Sequence, residues 1–422
     1  METAATINKA PAFSGYQIFL IAVLAFLQFT VVLDFMVMAP LGAILMPVLH
    51  VSTAQFSHVV SAYAIAAGAS GLLAAGFADR YDRKKLLLFF YTGFILGTLL
   101  CAIAPTYELL LLARIVTGIF GGVVGSVSMA IVTDVFAMNV RGRVMGFIQL
   151  SLALSQVAGI PLGLYLATKF DWHAPFALIV GLGTLAGIII FRVMRPVAEH
   201  LHLHGDTNPW HHLWHTFKHR SYRLPYITVV ILATGGFMMM PFSTTFLVNN
   251  VGIVKEKLPL IFMIVGACSM VTFPLVGKAS DRLGKVPVFA VGTVIAMILT
   301  VIYSHLSITP MWLVVVLNAT MFVGIASRMV SSSALMTSVP DLKDRGAFMS
   351  IFSSIQMFSG GVAAAIAGLI VVQENETSPL KHYDTLGFVC CATMLSCVLL
   401  VYLVDKQVKR HRSVAEAAQA IV

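Results

Sequence analysis

Long, almost uninterrupted apolar stretches run the length of this 422-residue chain, and polar positions gather in the short breaks between them. A helix needs about 20 mostly apolar residues to cross a bilayer. Runs of that kind cover 17–47, 53–76, 85–104, 107–134, 143–168, 174–195, 223–248, 258–277, 286–305, 310–336, 346–372 and 385–404. The pattern predicts an all-α membrane protein with about twelve transmembrane helices and short connections. Composition agrees: 59% of residues are hydrophobic and 11% charged, against about 25% charged in a soluble domain. Mean hydropathy is +0.91.

The formal net charge of +9 changes the picture only through its distribution. With the N-terminus placed inside, the outer segments hold Lys169, Lys255, Lys257 and Lys381, and Arg114 and Arg328 lie within spans. The remaining 21 of the 27 lysines and arginines then fall on the cytoplasmic side. Such a bias sets orientation, so a multi-pass protein of the cell (inner) membrane with both termini cytoplasmic is expected. The basic balance reflects topology and implies no nucleic-acid partner. All five cysteines (Cys101, Cys268, Cys390, Cys391 and Cys397) fall inside runs, with no zinc spacing and no outer-loop pair for a disulfide. The first run is long and lacks a small-residue cleavage site, so it reads as a retained helix.

The chain also repeats itself weakly. Gly76-Phe-Ala-Asp79-Arg80-Tyr-Asp82-Arg83-Lys84 follows the second run, and Gly277-Lys-Ala-Ser-Asp281-Arg282-Leu-Gly284-Lys285 follows the eighth. Asp79 and Asp281 lie 202 positions apart, and Arg141-Gly142 and Arg345-Gly346 lie 204 apart. Two matched signals at nearly one offset argue for two six-helix halves in parallel repeat: residues 1–195, a linker at 196–222, and residues 223–422. At these loops the chain resembles the major facilitator superfamily, whose loop pattern is Gly-x-Leu-x-Asp-Arg-x-Gly-Arg-Lys. Asp79, Arg80, Arg83 and Lys84 match it, while Ala75 and Asp82 stand where the two glycines would be. The second copy keeps Gly277, Asp281, Arg282, Gly284 and Lys285. The resemblance implies a cytoplasmic latch made by Asp79, Arg80, Arg83, Asp281 and Arg282, with Asp79 near the start of a helix of the other half, where free N–H groups stabilise a carboxylate. Read on charge alone, the same residues are topology determinants.

Of the 18 acidic residues only Asp34 sits well inside a run; Asp134 and Asp384 lie near helix ends. At 1.5 Å of rise per residue, Asp34 and Arg114 fall at one level in the outer third. Opposite charges at that depth pair, because desolvating either alone is expensive. The pair is either a static tie between helices or a titrating couple in which Asp34 exchanges a proton. Leu33-Asp34 is similar to the acidic first-helix motif of drug/proton antiporters, and Arg114-Ile-Val-Thr-Gly118 to their Arg-x-x-x-Gly motif; Phe35 to Pro40 departs from the pattern by lacking its Thr and Asn. The repeat places Gly235 opposite Asp34 and Asn318 opposite Arg114, so any proton coupling would belong to the first half. Arg328 lies in the inner half of the tenth run, either reaching the cytoplasmic surface or facing a cavity as an anchor for an anion.

The fifth run reads Gln149-Leu-Ser151-Leu-Ala-Leu-Ser155-Gln156-Val-Ala-Gly159-Ile-Pro161-Leu-Gly163. Gly159 and Gly163 allow close helix contact, and Pro161 bends a helix that must rock. The stretch resembles the fifth-helix motif of facilitator antiporters; its Gly-Ile-Pro-Leu-Gly form, with Asp171-Trp172 and Phe176, looks closer to the arabinose- and chloramphenicol-efflux branch. Gln149 and Gln156 share a helix face and either line a cavity or bond neighbouring helices. Phe237 and Met238, in a run of methionines, form either a greasy binding wall or ordinary packing. In the linker, His211, His215 and His219 stack at four-residue spacing, with His200, His202, His204 and His212 nearby. Trp210, Leu213, Trp214 and Phe217 recur at helical spacing, which fits an interfacial amphipathic helix; the imidazoles are also a candidate metal sensor.

These readings converge on a monomeric secondary transporter with no cofactor and no resident metal. It would exchange protons for a small, partly apolar solute or drug by alternating access. Phe237, Met238, Gln149, Gln156, Asn318 and Arg328 are the candidate cavity residues. Uptake of an organic anion with protons, and a non-transporting sensor acting through the linker, remain the competing classes. No Gly-Lys-Ser/Thr nucleotide loop appears. The spans hold no nucleophile–base pair, so the sequence does not read as an enzyme.

Overall fold

The computed structural model describes residues 13–198, 209–341, 344–375 and 377–419, apart from the side chains of Asp79, Asn139, Pro209 and 411–419. His200, His202 and His204 therefore lie outside the described residues, as does the side chain of Asp79. The first half contains α1 (Gly15–Met38), α2 (Gly42–Leu49), α3 (Thr53–Ala75), α4 (Arg83–Ala102), α5 (Tyr107–Val135), α6 (Val140–Lys169) and α7 (Ala174–Val193). A short α8 (Pro209–Lys218) leads into α9 (Arg220–Asn249), α10 (Lys255–Leu283), α11 (Lys285–Ser304), α12 (Met311–Met336), α13 (Arg345–Ile370) and α14 (Tyr383–Arg410). All but α2 and α8 are long and apolar enough to cross a membrane, making twelve candidate spans among the described residues. The end carrying α8 is called the linker face below, and the opposite end the far face.

Two expected spans are broken, at equivalent places. The run 17–47 divides at residues 39–41 into α1 and α2, and the run 223–248 tightens into a 3₁₀ turn at Met240–Phe242 inside α9. Pro40 and Pro241, 201 positions apart, account for both, since proline has no N–H to continue the ladder and crowds the carbonyl four residues back. The broken segments pack on each other at the far face. There the Thr244 hydroxyl donates to the Ala39 carbonyl at 3.3 Å, and the Thr245 hydroxyl lies 3.8 Å from the Met46 sulfur.

The longest seam between the halves joins α3 to α13. At the far face the Thr53 hydroxyl donates to the Val371 carbonyl at 2.7 Å, and one turn in, the Ser57 hydroxyl donates to the Ala364 carbonyl. At Gly68 the backbones approach so closely that a Cβ would stand 2.7 Å from the Phe358 nitrogen. Small residues and hydroxyls are the usual materials of such contacts between membrane helices. A second seam joins α6 to α10, where Gly266 faces the backbone of Gln156 and Val157.

Candidate functional site

Asp34 lies one turn before the end of α1, and Arg114 two turns into α5, so both helices deliver their charge to one level near the far face. The side chains are fully buried and paired, with Arg114 Nη1 2.7 Å from Asp34 Oδ2. The same nitrogen donates to the Asp34 carbonyl at 3.3 Å, and the Thr98 hydroxyl of α4 donates to Oδ1 at 3.2 Å. Tyr63 of α3 lies beneath the guanidinium, with Cζ 4.6 Å from the ring centroid. Arg114 Nε and Nη2 meet no acceptor among the described residues. Four helices thus converge on one ion pair. Thr98 and Tyr63 were not expected from sequence; a lone Thr and a lone Tyr in apolar runs carry no signal of what they face.

The α6 backbone grips the same stretch of α1. Residues Ser155–Gly159 form a single π turn, in which the Ile160 N–H reaches back to the Ser155 carbonyl. Pro161 supplies the reason, because the wider turn relieves the clash a proline makes with the preceding turn. Gly159 then abuts Leu33, where a Cβ would stand 2.7 Å from Cδ1, and Gly163 abuts Val37 at the same distance from Cγ2. The Ser155 hydroxyl donates to the Phe29 carbonyl at 3.2 Å. Leu33 and Val37 flank Asp34, so the π turn and its glycines seat the carboxylate's own segment.

At the linker face Arg83 is buried, and two of its contacts lie within its own half. Nε lies 2.9 Å from Asp134 Oδ2 at the end of α5, and Nη1 donates to the Ala78 carbonyl at 3.0 Å. Arg80 is exposed, as are Asp281 and Arg282 at the end of α10. In the second half Lys285 donates to the Ala334 carbonyl of α12 at 2.8 Å, a cation on a helix end where the first half has a cation on a carboxylate.

The remaining candidates are dispersed. Gln149 is exposed, while Gln156 is half-buried, its backbone facing Gly266 of α10. Met238 is buried, while Phe237 is partly exposed, its ring packed over Gly360 of α13. Asn318 Nδ2 donates to Val314 of its own helix at 2.9 Å. Arg328 is 5% exposed, with Cζ 5.7 Å from the Phe289 ring of α11. Its Nε and Nη2 have no acceptor among the described residues. The guanidinium is therefore held between helices and does not reach the surface.

The linker helix departs from a simple amphipathic pattern. Leu213 and Thr216 of α8 are buried against protein, and Trp214 and Phe217 are left exposed. The four apolar residues expected on one face are thus divided between the bundle and the surroundings. His212 Nε2 lies 3.0 Å from Asp344 Oδ1, and the Tyr222 hydroxyl donates to Oδ2 at 3.0 Å. Trp210 packs on Gly76 at the end of α3. The helix therefore touches both halves. Among the described residues no group of three His, Cys, Asp or Glu side chains is arranged to hold a metal.

A family model described as Major Facilitator Superfamily matches residues 24–364 and 260–420. The uncharacterized MFS-type transporter YceJ of Bacillus subtilis (strain 168) is 29% identical over 265 residues, 61% of this chain and 65% of that protein. Multidrug resistance protein 3 of the same organism is 32% identical over 146 residues, 35% of this chain and 28% of that protein. The chain thus aligns with less than two thirds of either relative's own length. Among solved structures, a point mutant of the nucleoside transporter NupG superposes with a TM-score of 0.73 at 16% identity, covering 92% of this chain and 99% of that one. That likeness is one of fold.

Proposed function

The chain belongs to the major facilitator superfamily, a family of multi-pass membrane transporters, and from that premise we propose that it is a proton-coupled efflux antiporter for a small, partly apolar solute or drug. The linker face is cytoplasmic in this reading, following the positive-inside distribution, and the protein works as a monomer in the cell (inner) membrane. The observation that carries the proposal is the fully buried Asp34–Arg114 pair. Protonating Asp34 cancels the Coulomb tie at a depth where an unpaired charge is expensive. The site then has two states of different charge, and proton binding biases the halves between them. Asp34 is the proton carrier, Arg114 its electrostatic partner, and Thr98 orients the carboxylate. Phe237, Met238, Gln149, Gln156 and Asn318 contribute to the cargo surface. The loop residues Asp79, Arg80, Arg83, Asp281 and Arg282 form the cytoplasmic gate, with Gly159, Pro161 and Gly163 as the flexible element of α6. Multidrug resistance protein 3, together with a probable sugar efflux transporter of Helicobacter pylori (strain G27) that is 26% identical over 148 residues, 35% of this chain and 38% of that protein, supports the efflux direction.

The test is proton movement in inside-out vesicles on adding lipophilic cations, phenicols or sugars, comparing wild type with Asp34→Asn. A cargo-evoked proton efflux from the lumen that is lost in Asp34→Asn is expected. A flux that survives in the mutant makes the pair structural and sinks the reading. One observation favours a second reading, uptake of an organic anion with protons: Arg328 is buried, and its Nε and Nη2 have no acceptor among the described residues. It predicts proton movement in the opposite direction and its loss in Arg328→Met.

A further inference from the structure

Phe35 follows Asp34 in sequence and projects toward the second half. Its ring stacks on Tyr63 at 5.2 Å between centroids, and Tyr63 is the ring that carries the Arg114 guanidinium. On its other side Phe35 meets Phe237 of α9 at 6.1 Å. Phe237 in turn lies against Gly360, where a Cβ would stand 2.8 Å from the ring. The contacts therefore run unbroken from the buried ion pair, through three aromatic rings, to α9 and α13 of the other half. Each phenylalanine also stands about one turn before a helix break: Phe35 precedes Pro40, and Phe237 precedes Pro241. Beyond those breaks lie the two segments that seal the far face, tied by Thr244 to Ala39.

We propose that the Phe35–Phe237 contact is the positioning link that carries the charge state of the Asp34–Arg114 pair to the second half and so to the far-face seal. This rests on Asp34 being the proton carrier. The physical basis is stiffness. Aromatic rings have few rotamers, and packed interfaces switch between discrete arrangements rather than deforming smoothly. Leu33 and Val37 are held in the Gly159 and Gly163 notches of α6, so a change in the Asp34 carboxyl cannot be absorbed on that side. Tyr63 is shared by Arg114 and Phe35, so a guanidinium released from Asp34 disturbs the shelf on which Phe35 rests. Phe237 carries the Phe35 contact into the second half, and the close fit of its ring at Gly360 couples it to α13.

The link makes an asymmetric prediction for amide hydrogen exchange in the full-length protein, read separately for segments 39–49 and 240–250 at acidic and neutral pH after correction for intrinsic rates. In wild type both segments should change exchange together by about threefold or more, and in Asp34→Asn neither should respond. In Phe237→Ala the first segment should keep its pH response while the second loses it, and Phe237→Leu, which keeps the bulk, should restore it. Phe35→Ala, which cuts the contact from the other ring, should give the same split, and it carries the test if Phe237→Ala does not fold. A merely structural loss would raise exchange in both segments at every pH, and that result overturns the proposal. So does a second segment that still responds in Phe237→Ala while wild type and Asp34→Asn behave as expected; the proton-carrier reading then stands and the link alone falls. If wild type shows no response, or if Asp34→Asn keeps it, the link and the proton-carrier reading fall together.

Discussion

The two halves share a mechanical plan and differ in their charges. Both break their first spanning helix at a proline, Pro40 in one and Pro241 in the other, and the broken ends meet at the far face. Yet the first half holds a buried ion pair where the second has Gly235 and Asn318. Its Arg83 rests on Asp134, where Lys285 in the second half rests on a helix carbonyl. The second half's own deep cation, Arg328, sits over Phe289. The proline breaks, which depend on backbone chemistry, recur in both halves, while the buried Asp34–Arg114 pair belongs to the first.

The largest effect that would sharpen this comparison comes from splitting the ion pair. Arg114→Ala strands a carboxylate in a dry site and should cost about 3–5 kcal/mol, read as a lower unfolding midpoint in detergent. Adding Asp34→Asn should recover most of that loss. The counterpart change, Arg328→Met, removes a buried cation whose Nε and Nη2 have no acceptor among the described residues, and it should leave stability unchanged or raise it. An Arg328→Met loss as large as that of Arg114→Ala would break the contrast between the halves.

A smaller difference is expected at the linker face. Arg83→Ala removes both the Asp134 contact and a bond to the Ala78 carbonyl, whereas Lys285→Ala removes one bond to the Ala334 carbonyl; charge-assisted bonds of this kind contribute about 1.5–3 kcal/mol each, so the Arg83 loss should be the larger. Unfolding midpoints of the two variants, measured side by side, check the order; equal losses would mean the two loops do equivalent work. The smallest effect concerns α8. His212 is about half exposed, so His212→Ala should cost under about 1 kcal/mol, visible as faster proteolysis near 209–218 with little change in the midpoint.

The candidate site was legible in part, and the limits follow from its chemistry. A carboxylate inside an apolar run stands out against its neighbours, so Asp34 was readable, and the level of Arg114 followed from counting helical rise. Asp134 as the partner of Arg83 was not readable, since a carboxylate near a helix end has many available partners. The division of the α8 face has a related cause. An amphipathic stripe shows that a helix has a surface to cover, and says nothing of whether lipid or protein covers it.

By itself the sequence determined the twelve spans, the offset of 201–204 positions between the halves, and the family. These depend on local and additive quantities, such as transfer energy per residue and loop motifs. Only the tertiary structure decided which side chains meet. Helices that are apolar on every face carry little periodic signal of which face is inside. Thr98, Tyr63, Phe35 and Phe237 therefore acquire their relation to Asp34 only when α1, α3, α4, α5 and α9 are packed together.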